Sequence, residues 1–259
     1  MVSTNNSRYQ VLNLERALMI LELLSGNPAG LTSSQIAKYL NLSRNSIFRI
    51  TTTLYDNGYL CRNEETKLFQ LSQKLLTLGY AAIGEQTLIE KSLPHMRSLR
   101  DKYGETVPLG ILHGIHGLVV ESIPGTFSFR YVLEPGKHFH LHTSASGKAI
   151  IAFLPENERE ELIQKIEYKT YNERTVNNRE DFRKCLKEVR TKGYAVDIAE
   201  EIVGMHCVGA PIFNRRGYPI AAIWITGPYM RLDISRLEII GNDVKKYANN
   251  ISQSFGFAK

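Results

Sequence analysis

The stretch Leu31-Thr-Ser-Ser-Gln-Ile-Ala-Lys-Tyr-Leu-Asn-Leu-Ser-Arg-Asn-Ser-Ile-Phe-Arg-Ile50 decides how the first third of this chain folds. Thr32 or Ser33 can cap a short helix whose apolar stripe is Ile36, Ala37 and Leu40, because a side-chain oxygen there accepts from an amide that the first turn leaves unpaired. Asn41 tolerates the left-handed backbone that a tight turn demands. Ser43 caps a second helix that buries Ile47, Ile50 and Leu54 and closes at Asn57-Gly58. Two capped helices joined by a tight turn have the order of a helix-turn-helix.

Outward from this unit, Leu14, Ala17, Leu18, Leu21 and Leu24 recur at helical spacing and predict a helix over 13–25, stopped by Gly26-Asn-Pro-Ala-Gly30. Residues 59–62 and 67–71 read as strands around the polar turn 63–66, a hairpin in the position of a wing. Ser43, Arg44, Asn45, Ser46 and Arg49 face away from the apolar side of the second helix. A helix entering the major groove needs such groups: Arg bonds guanine bidentately and Asn bonds adenine. Ser43, Thr32 and Ser33 lie at helix starts suited to backbone phosphate. Arg62 and Lys67 flank the wing, while Glu64 and Glu65 at its tip repel phosphate and keep it shallow. A helix over about 72–84 ends this part.

The remainder alternates strands and helices. Helices are predicted over 86–103 (interrupted by Pro94), 145–154, 156–166, 179–192 and 234–255. Strands are predicted over 107–112, 117–123, 129–133, 139–142, 194–197, 208–213 and 220–226, an α+β order with a mixed sheet. The 259 residues suggest two domains. Residues 1–80 hold 8 basic and 5 acidic side chains against 24 and 21 in the rest, so the first part has the denser positive charge. The odd count of three cysteines, Cys61, Cys185 and Cys207, far apart and without a CxxC pair, argues against a disulfide framework and against a cysteine-only zinc site. No apolar run is long enough for a membrane span, and polar Met1–Gln10 reads as a cytoplasmic start.

Four stretches together resemble the isocitrate-lyase-regulator (IclR) family of bacterial transcription regulators. They are the quoted helix-turn-helix with Leu54-Tyr-Asp-Asn-Gly-Tyr-Leu60; Leu141-His-Thr-Ser-Ala-Ser-Gly-Lys-Ala149; Gly193-Tyr-Ala-Val-Asp197; and Gly204-Met-His-Cys-Val-Gly-Ala-Pro211 running on to Ala221-Ala222 and Thr226-Gly-Pro228. The resemblance implies a winged helix-turn-helix over 8–72, a linker helix over 73–85 and a GAF-like mixed α/β effector-binding domain over 86–259. It implies a DNA-binding regulator, most often a repressor, acting as a homodimer or homotetramer on a palindromic operator. The operator affinity would be set by a small, carboxylate-bearing metabolite. Carried over position by position, the effector site comprises Tyr131, Phe139, Asp197, Cys207, Trp224 and Thr226.

The residues supply a reason for an acid. Thr143 and Ser144 precede a helix containing Ala145, Ser146 and Gly147, whose first amides form an anion site. Trp224 departs from the glyoxylate-sensing type, where a small hydroxyl residue is expected. With Tyr131 and Phe139 it makes an aromatic wall suited to a sugar acid or an aromatic acid.

Two other readings compete. His138, His140 and His142 fall on one face of a strand at period two and, with His206, Cys207 or Asp197, form a candidate metal set; His142 belongs to the family-like stretch and has a structural explanation without a metal. An enzyme using Cys207 as nucleophile, helped by His206, His142 or Asp197, is the alternative function. Adjacent His206 and Cys207 point to opposite faces of a strand, and no nucleophile elbow, P-loop or dinucleotide fingerprint is present. The expectation is a non-enzymatic regulator with neither cofactor nor metal.

Overall fold

The computed structural model describes residues 11–75, 78 and 86–258. The chain divides into two compact units, 1–86 and 87–259. The expected linker helix over 73–85 falls mainly on residues outside the described set.

In the first unit, α1 (Leu12–Ser25), α2 (Ser33–Leu40) and α3 (Arg44–Asp56) precede a two-stranded hairpin, β1 (Leu60–Arg62) and β2 (Phe69–Leu71). Thr32 and Gln35 form a reciprocal capping box at the start of α2, and Asn41 ends that helix at φ 52°. The core gathers Ile20, Leu24, Leu31, Ile36, Ile47, Leu60 and Phe69. Two expectations shift. Leu14 and Leu18, placed on the inner stripe of α1, are exposed, and Ile20 joins the expected Leu24 in the core. Leu54 is only half-buried, while Thr51 is sealed in, its hydroxyl donating to the Ile47 carbonyl at 2.8 Å. The wing strands are shorter than predicted because Lys67 sits at φ 58°, outside extended geometry.

The second unit is a six-stranded antiparallel sheet of β3 (Val107–His113), β4 (His116–Ile123), β5 (His138–Phe139), β6 (Ala195–Ile198), β7 (Met205–Phe213) and β8 (Pro219–Pro228), in the order β5-β4-β3-β8-β7-β6. Alternation along β7 and β8 sends Val208, Ala210, Ile212, Ile223 and Ile225 to one face. There they pack on Met96 and Leu99 of α4 (Gln86–Tyr103) and on Ile240, Val244 and Ile251 of α8 (Leu237–Ser254). Against the opposite face lies α5 (Ala145–Phe153), backed by α6 (Glu156–Lys165) and α7 (Arg179–Lys192).

Three predictions fail here. α4 runs unbroken through Pro94, since burying Leu88, Met96 and Leu99 outweighs the roughly 3 kcal/mol cost of an interior proline. Residues 129–133 form no strand: the Phe129 carbonyl accepts from Arg231 at 2.9 Å and the Tyr131 carbonyl from Thr106 Oγ1 at 2.5 Å, so side chains rather than a ladder satisfy this loop. The predicted strand over 139–142 contracts to His138–Phe139, and His140 and His142 lie beyond it.

Candidate functional site

Two sets of polar residues stand out, one in each unit. On α3, Arg44, Asn45 and Arg49 are exposed, and none of their side chains makes an ion pair or hydrogen bond among the described residues. Ser43 Oγ is the helix cap, accepting from the Ser46 amide at 3.3 Å. Thr32 is occupied by its capping box, with Ser33 half-buried beside it. Ser46 does not project freely as expected: its hydroxyl accepts from Arg16 Nη1 at 3.2 Å, across a cleft of about 610 Å³ between α1 and α3. On the wing, Arg62 lies over the Phe69 ring at 5.5 Å and Lys67 pairs with Glu64 at 3.1 Å, so both cations are held locally. Sequence reading missed Arg16, whose partner lies 30 residues away, and Phe48, 62% exposed in the middle of the same α3 face. Phe48 was visible in principle, one turn beyond Arg44.

In the second unit the pocket grows from strand register. Asp197, Cys207 and Thr226 stand side by side on β6, β7 and β8. The Cys207 thiol donates to Thr226 Oγ1 at 3.2 Å. One step along, Gly209 pairs with Trp224. A side chain at Gly209 would meet the Ala145 carbonyl carbon and the Ser146 nitrogen at 3.2 Å, so glycine there lets the start of α5 rest on the sheet. Phe139 crosses the pocket in T-shaped contact with Trp224, centroids 5.4 Å apart, over the bare backbone of Gly117, where a Cβ would overlap its ring at 1.9 Å.

These elements enclose a cavity of about 130 Å³. Of the expected effector residues, Tyr131, Phe139, Ser146, Asp197, Cys207, Trp224 and Thr226 line it; Ala145 and Gly147 do not. The Ala145 side chain belongs to the core beneath α5. The Gly147 amide, expected to be open, donates to the Ser144 cap at 3.1 Å, and the close approach at Gly147 is to the Leu141 backbone. Only the Ala145 and Ser146 amides are then left as first-turn donors. The Ser146 hydroxyl is fully buried and has no hydrogen-bond partner among the described residues. Leu133, Lys137, His138, Ser144, Glu201, Ile202 and Met205 complete the wall; Leu133, Lys137, Glu201 and Ile202 lie on loops, where periodicity gives no signal.

The electrostatics are set by burial. Asp197 Oδ1 accepts from the Glu200 amide at 2.8 Å; desolvation raises its pKa, with the Lys148 ammonium acting against that rise. Lys148, on α5, is itself fully buried, ion-paired with Glu200 and donating to the Val196 carbonyl at 3.2 Å. Burial also pushes the Cys207 thiol well above its usual range, with the Asp197 charge adding to the rise. His206 turns away to the Leu232 carbonyl at 2.7 Å. His206 is therefore no partner for Cys207, whose buried thiol rests on Thr226 Oγ1 beside the Asp197 carboxylate, where burial disfavours the thiolate that a nucleophile would need. The rings of His113, His138, His116 and His140 touch in that succession at 5.8–6.3 Å between centroids. No group of three His, Cys, Asp or Glu among the described residues has metal-holding geometry. His140 instead meets Glu201 at 3.1 Å and His142 meets the Lys169 carbonyl at 3.0 Å.

A capped helix-turn-helix with an open polar face is the form of a DNA-reading unit, and a second, α/β unit holds the cavity. The comparisons identify the family. The model of the IclR helix-turn-helix domain matches residues 13–64, and that of the bacterial transcriptional regulator IclR C-terminal domain matches 80–253. The chain is 34% identical over 220 residues to the glycerol operon regulatory protein of Streptomyces coelicolor, covering 85% of this chain and 86% of that one. It is 29% identical over 245 residues to the transcriptional regulator XynR of Escherichia coli, covering 95% and 97%. The crystal structure of Thermotoga maritima IclR superposes with a TM-score of 0.81 at 29% identity, covering 96% of this chain and 100% of that one. An IclR homolog from Microbacterium hydrocarbonoxydans, complexed with 4-hydroxybenzoate, shares the fold at a TM-score of 0.82 and 21% identity, covering 94% and 98%. The chain belongs to the IclR family of DNA-binding transcriptional regulators, and it is not an enzyme. No described helix is long and apolar enough to cross a membrane.

Proposed function

We propose that this regulator is a repressor that grips a palindromic operator through Arg44, Asn45 and Arg49. An organic acid built on a single six-membered ring, an aromatic or sugar acid, changes that grip from the second unit. The observation that carries this reading is the buried, unpartnered Ser146 hydroxyl at the start of α5, facing the cavity. An unmet buried hydroxyl costs about 1–3 kcal/mol, and a ligand oxygen removes that cost. Ser146 Oγ and the Ala145 and Ser146 amides offer three donors to a carboxylate, with the positive end of the helix behind them. Asp197 and Thr226 then meet hydroxyls on the far side of the ring, with the Phe139–Trp224 pair forming one apolar wall beside it.

The size agrees. An apolar cavity of about 150 Å³ admits benzene, so about 130 Å³ is of the order of a single ring. The 4-hydroxybenzoate bound by the Microbacterium hydrocarbonoxydans homolog is a ligand of this class. For the DNA side, one recognition helix reads few base pairs, so specificity needs two copies. The exposed outer stripe of α1, Val11, Leu14 and Leu18, supplies an apolar face for pairing the first units into a homodimer; further pairing through the second units gives a homotetramer. The domain limits follow as 8–72 for DNA binding, 73–85 for the linker and 86–259 for the effector. The fold is assigned to the cytoplasm, where its operator lies.

A thermal-shift panel of keto acids, sugar acids and aromatic acids tests the ligand class. Single-ring acids should raise the melting temperature of the native chain and leave Ser146→Ala unmoved. Tight glyoxylate binding, with no response to any ring acid, would overturn it.

A further inference from the structure

The side chains of α3 that rise from its exposed face are not all polar. Phe48 lies one turn after Arg44 and one turn before half-buried Thr52, flanked by exposed Asn45 and Arg49, and is 62% exposed. Its ring makes no aromatic or cation contact among the described residues, so nothing among them explains an exposed phenyl group there. A phenyl ring cannot bond a phosphate or the donors and acceptors of a base edge. In the major groove the one apolar feature is the thymine C5-methyl group. From this juxtaposition, and resting on the reading of α3 as the groove-entering helix, we infer that Phe48 is a specificity-determining residue that reads a thymine methyl in each operator half-site, beside the bases read by Arg44 and Asn45.

The contact is apolar, which separates it from its neighbours. Removing a phosphate-bonding cation lowers the salt dependence of binding by nearly one ion per contact, whereas removing Phe48 leaves the salt slope unchanged. It also leaves the fold unchanged, because the ring is exposed.

The test begins with a duplex selected from a random-sequence library by the full chain. Each thymine is then replaced in turn by deoxyuridine, which deletes the methyl and keeps both base edges. For the native chain, one symmetric pair of replacements should weaken binding roughly tenfold, about the loss of one buried methyl in each half-site. Phe48→Ala should bind the thymine duplex as weakly as the native chain binds the uracil duplex, with less than a twofold further loss on replacement. Its melting temperature and salt slope should match those of the native chain. A replacement penalty that persists undiminished in Phe48→Ala, or a selected duplex with no methyl-sensitive thymine, would overturn the inference while leaving DNA binding intact. Failure to select any sequence would overturn both this inference and the reading of α3 on which it rests.

Discussion

The two polar sets of this protein differ in how they stand toward water. Arg44, Asn45 and Arg49 on α3 are exposed and unpartnered among the described residues, and that costs nothing because solvent satisfies them. Ser146, Asp197 and Thr226 in the second unit are buried, where every unmet group carries a penalty. An open donor on α3 is therefore informative only through its place on a groove-sized helix. An open hydroxyl at Ser146 is informative because it also lines the cavity, which the equally unpartnered buried hydroxyls of Ser92 and Ser122 do not. The first surface speaks by geometry and the second by an unpaid desolvation.

This contrast can be broken by substitutions that should act in one unit only. The largest effect is expected from Lys148→Ala, which strands the buried Glu200 carboxylate. Loss of one partner of a buried pair costs roughly 3–5 kcal/mol, to be read by urea unfolding of the second unit. A loss below about 1 kcal/mol would show that Glu200 tolerates losing its buried partner. Next is Arg44→Ala, which should weaken specific operator binding by about 1–3 kcal/mol, measured by anisotropy at fixed salt, with effector affinity and melting temperature unchanged. Thr32→Ala removes the capping box of α2 and should cost about 1 kcal/mol of stability in the first unit, leaving the second unit's transition in place.

Asp197→Asn gives the smallest effect but one of definite sign. Burial raises the Asp197 pKa in the folded state, so the folded form binds more protons than the unfolded chain and native stability falls as pH rises through that raised value. Asn keeps an oxygen for the Glu200 amide and carries no charge. The variant should therefore match the native protein at low pH and exceed it above the raised pKa, while losing its response to effector. A native stability that instead grows with pH relative to Asp197→Asn would refute the assignment of Asp197 as a desolvated carboxylate.

How much could be read in advance depended on the range of the interaction. Thr32, Asn41 and Ser43 act within three or four residues, and their caps and turn were legible. Strand periodicity placed Asp197 and Thr226 in strands but began the strand between them one residue after Cys207, and the family resemblance brought the three to one pocket. Leu14 and Leu18 were put on the wrong side because α1 is apolar on two faces, and spacing alone does not tell which face meets the core. The loop at 129–133 looked like a strand because its carbonyl partners, Arg231 and Thr106, lie 102 and 25 residues away in sequence. Gly147 was expected to offer its amide, but the helix cap at Ser144 claims it first. Arg16 on Ser46 is a long-range contact with no local signature.

Trp224 offers the most direct test of the link between the two units, since it is the single tryptophan of the chain and lines the pocket. Its fluorescence can be titrated with an aromatic or sugar acid in the same solution in which operator binding is followed by a labelled duplex. The expected result is a saturable change in emission whose midpoint coincides with the change in operator affinity, both lost in Ser146→Ala. A change in operator affinity with Trp224 emission unmoved would contradict the pocket as the seat of regulation.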